Sequence, residues 1–428
     1  MADNTDRALQ KQIVYSIYVR AHTEEGSFLS IIPDLDRIRA LGTDIIWFLP
    51  IHPIGVKGKK GSLGCPYANR DYRTTNPLYG SMQAFRFLCD EIHRRGMKVM
   101  IDVVYNHTSP DAALLRDHPE FYWRDAAGNT GNKIGDWADV IDLDYRVRAL
   151  WDYQIDSLRM WAGIVDGFRC DVASFVPLEF WKAARRAVAE VRPECIWLAE
   201  TVHMSYGNYA RREGFLSTRD TEAYDAFDIE YQYDVWESFE RFLDGRGALH
   251  EWTEQLNLQE ALYRENYNKL RYLENHDQPR IAARVKDERA RDNHTAMLFF
   301  LKGTTLLYAG QEFSCTHQPS LFEREVIDRS GRDVSAFLSR LAAVKKRYLG
   351  EKDAFLARAE DGSAIAVMER FSPGRRTVGV FSLHGRSGSA PLEAPDGAYE
   401  DLLGHGRVLV KNGQVFTDGD PLIFMLPR

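Results

Sequence analysis

The stretch GFRCDVASF, Gly167 to Phe175, follows the apolar run WAGIVD and reads as a buried strand, yet it carries an arginine and an aspartate two positions apart. Successive strand side chains alternate between faces, so Arg169 and Asp171 share one side while Phe168 and Cys170 share the other. Charges inside an apolar strand cost free energy unless they find partners. The neighbouring sequence shows what kind of sheet holds such a strand.

From about residue 12 to residue 350, short β-branched or aromatic runs alternate with longer helical patterns, the signature of parallel βα units. IVYSIYV opens the series as a strand and is followed by the helix DLDRIRALG and the strand TDIIWFLP. SMQAFRFLCDEIHRRG reads as a helix capped by Ser81 and ended by Gly96. KVMIDVVYNH, IVDGFRCDV and CIWLAET are the third to fifth strands, separated by helices, and further strands fit around AYDAFDI, LRYLENHD and TTLLYAG. Eight strands separated by helices predict a (β/α)8 TIM barrel, with the periods least distinct between about 203 and 268. The stretch 107–145, rich in Pro, Gly, Asp and Asn, breaks the pattern and reads as a short inserted subdomain after the third strand. Beyond residue 350, alternating segments such as SAIAVMER, RTVGVFSL and PLIFML predict a C-terminal β-sandwich. The expected division is thus 1–106 with 146–350 for the barrel, 107–145 for the insertion and 351–428 for the sandwich.

Composition excludes several classes. With 428 residues, 44% hydrophobic and 27% charged, the chain has material for a large soluble core. No segment approaches the run of about 18 apolar residues expected of a membrane span. A net charge of −7 with Lys and Arg dispersed lacks the basic footprint of a nucleic-acid binder. Five cysteines without CxxC spacing read as reduced, mostly buried thiols. The N-terminus has no apolar leader region, so a cytoplasmic location is expected.

In a barrel of this kind, catalytic groups sit at the C-terminal ends of strands and in the loops that follow. Asp102 and His107 end the third strand, Arg169 and Asp171 the fourth, Glu200 the fifth, and His276 with Asp277 the seventh. Three carboxylates, Asp171, Glu200 and Asp277, would therefore share one mouth. Gathered in a partly dry pocket they repel one another, and the least solvated should retain a proton near neutral pH. Arg169 is placed to keep Asp171 charged. One ionised carboxylate for attack and one protonated carboxyl for donation, about 5 Å apart, suit displacement at a glycosidic carbon with retention.

The segments DVVYNH (102–107), GFRCDVA (167–173), WLAET (197–201) and ENHDQPR (274–280) together resemble the four ordered signature segments of the α-amylase superfamily, glycoside hydrolase family 13. WFLPIHP (47–53) and GTTLLYAGQE (303–312) resemble its flanking barrel-strand motifs. The resemblance implies Asp171 as nucleophile, Glu200 as general acid/base and Asp277 as the residue that binds sugar hydroxyls and stabilises the transition state. It implies that Tyr67, His107, Arg169 and His276 line the subsite of the attacked sugar, Tyr67 by stacking, and that Asp102 and Asn106 support them. Its substrate class is α-glucan oligosaccharide or polysaccharide.

The departures from the family pattern are informative. Ser174 and Phe175 stand where calcium-dependent members carry Lys-His, and RAHTEEGSF lacks alternating oxygen ligands, so no cofactor is required and Ca2+, with Asn106 as one oxygen, is the less favoured reading. Val172, directly after the nucleophile position, occurs in members that cleave α-1,6 bonds, whereas the short insertion should wall the cleft less and admit longer chains. An α-1,4 hydrolase is the leading expectation, with an α-1,6-glucosidase, α-glucosidase or transglycosylase of the same family as the alternative. A non-catalytic glucan-binding or transporter-associated relative is the distant one. His52 reads as a hydrogen-bonded loop residue, and the aromatic EFYW segment is balanced between packing and sugar contact.

Overall fold

A computed structural model describes residues 5–135 and 137–427. Eight parallel strands close into a barrel: β1 (Ile13–Ile17), β2 (Ile45–Phe48), β3 (Lys98–Val103), β4 (Gly167–Cys170), β5 (Ile196–Ala199), β6 (Ile229–Tyr231), β7 (Lys269–Arg271) and β8 (Thr304–Tyr308), in the order 1-8-7-6-5-4-3-2. The main outer helices are α1 (Leu35–Ala40), α2 (Met82–Arg94), α3 (Arg148–Ala162), α4 (Leu178–Ala189), α5 (Met204–Arg212), α6 (Tyr233–Leu243), α7 (Leu249–Leu262), α8 (Glu288–Phe300) and α9 (Ser335–Tyr348). Ser81 caps α2, its hydroxyl accepting from the Ala84 N–H at 3.2 Å, and Phe85, Leu88, Cys89 and Ile92 are its buried stripe. That stripe faces the sheet, which is how a helix of this pattern buries its apolar side.

The sixth strand corrects the expectation drawn from AYDAFDI. The chain there ends a short helix, Asp220–Ala223, and the strand begins at Ile229. Its Glu230 is wholly buried beside Lys269, its register partner on β7, so charged residues mask the strand in the sequence.

Between β3 and α3 the inserted stretch is tied down by an antiparallel pair, His107–Thr108 with Ile141–Asp142. Phe121 and Tyr122 of EFYW are buried, and the Tyr122 hydroxyl lies 2.9 Å from that of Thr108, so these two rings pack rather than face a cleft. After α9 come two four-stranded antiparallel sheets. One orders β9 (Ala354–Glu360), β10 (Ile365–Ser372), β11 (Arg375–Ser382) and β16 (Leu422–Pro427). The other orders β12 (Gly388–Pro391), β15 (Gln414–Thr417), β14 (Arg407–Lys411) and β13 (Gly397–Glu400), and an apolar core including Val367, Val380, Val410 and Phe424 lies within this region. Five free cysteines are present, four of them buried. Among the described residues no helix is long and apolar enough to cross a membrane.

Candidate active site

The barrel register builds the site. Asp102 on β3 is the direct neighbour of Arg169 on β4, and both are fully buried. Asp171 and Glu200 lie one residue beyond their strands, but the ladder still holds them. Asp171 N–H donates to Val103 O at 3.0 Å, and Glu200 N–H donates to Cys170 O at 3.0 Å. Their side chains are thereby aimed at the barrel mouth from rigid backbone.

Arg169 answers the question raised by its own strand. Its Nη1 lies 2.9 Å from Asp102 Oδ1 and 2.7 Å from Asp171 Oδ1, and its Nη2 lies 2.9 Å from Glu200 Oε1. The rings of Trp47, Tyr67 and Tyr231 surround the guanidinium at 5.4 to 5.6 Å from their centroids. One delocalised cation thus holds three carboxyls in a fixed fork, a task suited to arginine. The expectation that Arg169 serves Asp171 was therefore too narrow.

Burial is the dominant influence on the three acids. It pushes Glu200 up to about 8 against the pull of Arg169, with Asp171 and Asp277 raising it further. It pushes Asp171 up to about 6, again opposed by Arg169 and assisted by Asp102. Asp102 rises to about 6 for the same first reason. Asp277 behaves oppositely: the protein around it would raise its carboxyl, but His276 and Arg169 outweigh that and hold it below the usual range. His276 Nε2 sits 3.0 Å from Asp277 Oδ2, and the His276 ring gains proton affinity from that contact despite burial. At neutral pH the site holds one carboxyl that retains its proton and others that release theirs.

Tyr67, His107, Asp171, Glu200, His276 and Asp277 all line one cavity of about 440 Å³. Tyr67 stacks on His276 with centroids 5.4 Å apart, and its hydroxyl donates to Asp102 Oδ2 at 2.9 Å. His107 Nε2 is 4.0 Å from Asp171 Oδ2. Asn106 stands behind it, its amide nitrogen 3.2 Å from His107 Nδ1 and 3.3 Å from Asp142 Oδ1. The Asn106 amide thus turns its nitrogen, not its oxygen, towards Asp142. Among the described residues no three His, Cys, Asp or Glu side chains gather as metal ligands. His52 lies outside the cavity lining and pairs with Thr74 O at 2.9 Å, neutralised by burial, which lowers its pKa to about 4.

The model of the α-amylase catalytic domain matches residues 5–137 and 134–354, and that of the bacterial α-amylase C-terminal domain matches 357–424. The chain belongs to the α-amylase family. Within that family it is similar to a crystallised α-amylase from Lactobacillus plantarum, with 40% identity and a TM-score of 0.94 over 98% of this chain and 100% of the other. It is also similar to a noncanonic maltogenic α-amylase, AmyB, from Thermotoga neapolitana, with 31% identity and a TM-score of 0.87 over 98% and 99% of the two chains. The α-amylase MalA of Haloarcula japonica is 26% identical over 78% of this chain and 49% of its own length. The chain spans about half the length of the first curated relatives it matches.

The family motifs mark the floor of the cavity but not its walls. Trp137, Asp139, Lys60, His203, Tyr233 and Phe322 also line it. They lie outside the motifs, Tyr233 at the start of α6 and the others in loops, and only their aromatic or charged character offered a signal.

Proposed function

We propose that the chain is a retaining glycoside hydrolase that cleaves α-1,4 bonds in malto-oligosaccharides by double displacement. Asp171 attacks the anomeric carbon, Glu200 protonates the departing oxygen and then deprotonates water, and Asp277 with His107 and His276 holds the hydroxyls of the attacked sugar. The observation that carries this reading is the Arg169 fork. It joins Asp171 and Glu200 through neighbouring nitrogens of one guanidinium while leaving the two with unequal proton affinities. Such bridging supports the shorter carboxyl spacing, about 5 Å, associated with retention rather than the wider one that leaves room for water. No metal enters the proposed reaction.

A second reading, cleavage of α-1,6 bonds, is favoured by two observations. Val172 forms part of the cavity wall, and a Bacillus subtilis relative named probable oligo-1,6-glucosidase 2 is 24% identical over 72% of the chain. A cytoplasmic location accompanies either reading, supported by likeness to the intracellular maltogenic amylase of Bacillus subtilis. Product analysis by NMR on maltoheptaose, panose, isomaltose and sucrose tests the linkage and the stereochemical outcome together. Cleavage of maltoheptaose with the α-anomer formed first is expected, and inversion or inertness towards every α-glucan would refute the proposal.

A further inference from the structure

One side of the cavity is bordered by a loop that takes no part in the chemistry, with Lys60 in its lining. Residues 57–64, between β2 and α2, form a strap that is exposed from 57 to 62 and turns inward at Leu63 and Gly64. Leu63 N–H donates to Phe322 O at 3.0 Å, and Ser62 N–H donates to Glu323 Oε1 at 2.9 Å, with the Ser62 hydroxyl on the other Glu323 oxygen. Near the strap's middle, Lys60 Nζ lies 3.1 Å from Asp139 Oδ1 of the inserted stretch. Gly61 sits between these fastenings at φ 63°, where a Cβ would come within 2.4 Å of Glu323 Oε1 and 2.7 Å of Phe322 Cβ. The strap is seated on the loop after β8 as closely as a backbone allows. Buried Arg20 holds it from beneath, donating to the carbonyls of Leu63 and Gly64 at 3.4 Å.

The strap therefore links the loops that follow β2, β3 and β8, passing on the side of the barrel where β1 stands. In the closed order of strands, β1 lies opposite β5, the strand that carries Glu200. An acid protonates the glycosidic oxygen, so the leaving half of a substrate lies towards β5 and the glycosyl half points at the strap. The two ends differ. On the β5 side, His203 forms the wall together with Tyr233, their ring centroids 4.1 Å apart, and His203 also lines a second cavity of about 280 Å³. On the strap side the wall holds Asp139, whose side chain is 4% exposed and whose Oδ2 has no hydrogen-bond partner. A buried, unpartnered carboxylate oxygen in a cavity wall is an acceptor for a hydroxyl.

We propose that the strap makes this enzyme act from the non-reducing ends of short α-glucans, with Asp139, paired to Lys60, accepting a hydroxyl of the terminal sugar. The short insertion alone would leave the cleft open to longer chains; the strap removes that freedom on the glycosyl side. The inference rests on the hydrolase reading above and specifies which bonds that site reaches.

The test compares 4-nitrophenyl maltoheptaoside with the same compound blocked at its non-reducing end by a 4,6-O-ethylidene group. For the native enzyme, kcat/KM on the blocked compound is expected to be lower by about a hundredfold, the discrimination available to a steric clash with a cavity wall. Combining Glu323→Ala with Lys60→Ala should raise the blocked-to-free ratio by about tenfold as the wall loosens. Equal turnover of both compounds by the native enzyme would overturn the inference while leaving the hydrolase reading intact. An unchanged ratio in the double variant would overturn the role of the strap, and failure to cleave either compound would overturn the hydrolase reading itself.

Discussion

Val172 donates its backbone N–H to Glu200 Oε2 at 2.8 Å from a left-handed conformation, φ 36° and ψ 45°. A β-branched residue in this region is strained by on the order of 1–3 kcal/mol, a cost that persists only where the surroundings impose it. The turn that brings the N–H to the carboxyl is the evident reason for it here. Val172→Gly removes the strain and the side chain together, so the melting temperature is expected to stay within a few degrees of the parent, about 1 kcal/mol in a chain of this size. The looser turn should donate less well, and because that bond lowers the proton affinity of Glu200, the alkaline limb of kcat/KM should move to higher pH. A limb that stays in place, with activity otherwise measured across pH 5 to 10, would refute this role.

The unequal acids predict both a rate profile and a stability profile. kcat/KM should follow a bell with limbs near 6 and 8, reporting Asp171 and Glu200. Glu200 holds its proton more tightly folded than unfolded, so its contribution to stability is fully present below its ordinary value of 4.5 and fades as pH rises towards about 8. Glu200→Gln cannot ionise and should flatten the fall in melting temperature between pH 6 and 8. Turnover by Glu200→Gln and Asp171→Asn should drop by about 10,000-fold, since each removes a reacting group and almost no core volume. Near-native rates in either variant would end the assignment.

Calcium dependence is tested by removing the ion. Because the Asn106 amide nitrogen faces Asp142 and no cluster of three ligating side chains exists among the described residues, overnight dialysis against a chelator should leave both the melting temperature and the rate unchanged. A fall of more than a few degrees would reveal an oxygen-rich site assembled from groups other than these.

Much of this was legible beforehand, for a physical reason. The barrel strands are short, apolar and separated by amphipathic helices, so both periods register in the sequence, and the motif residues Asp171, Glu200, His276 and Asp277 follow strand ends where loops must converge. What stayed hidden depends on tertiary meetings. The sixth strand reads too early in the sequence because Glu230 makes it look polar, although that glutamate is buried against Lys269. Lys60 and Asp139 lie 79 positions apart and read as solvated loop charges until the strap brings them to 3.1 Å. The threefold reach of Arg169 was likewise invisible, since alternation along one strand cannot show what lies across the barrel.

The partner of the charge that hid the sixth strand, Lys269 on β7, supplies the last prediction. Lys269 is fully buried on the outer face of the barrel wall, 2.9 Å from Asp220 Oδ2, 3.2 Å from Glu230 Oε2 and 3.5 Å from Asp234 Oδ1, with the Tyr263 ring 4.4 Å from its Nζ. Burial opposes its charge, but Asp220 and Asp234 outweigh that and hold its pKa well above the ordinary lysine value. Lys269→Met keeps the volume and removes the cation, leaving three carboxyls facing one another in a dry layer. Removing one partner of a buried ion cluster costs about 3–5 kcal/mol, far more than the pair's net worth, because the survivors lose their compensation. The midpoint of urea unfolding should fall accordingly and recover partly at low pH, where Asp220 and Glu230, both already raised by burial, take up protons. An unfolding midpoint within experimental error of the parent at pH 7 would show that this cluster is not held together by its lysine.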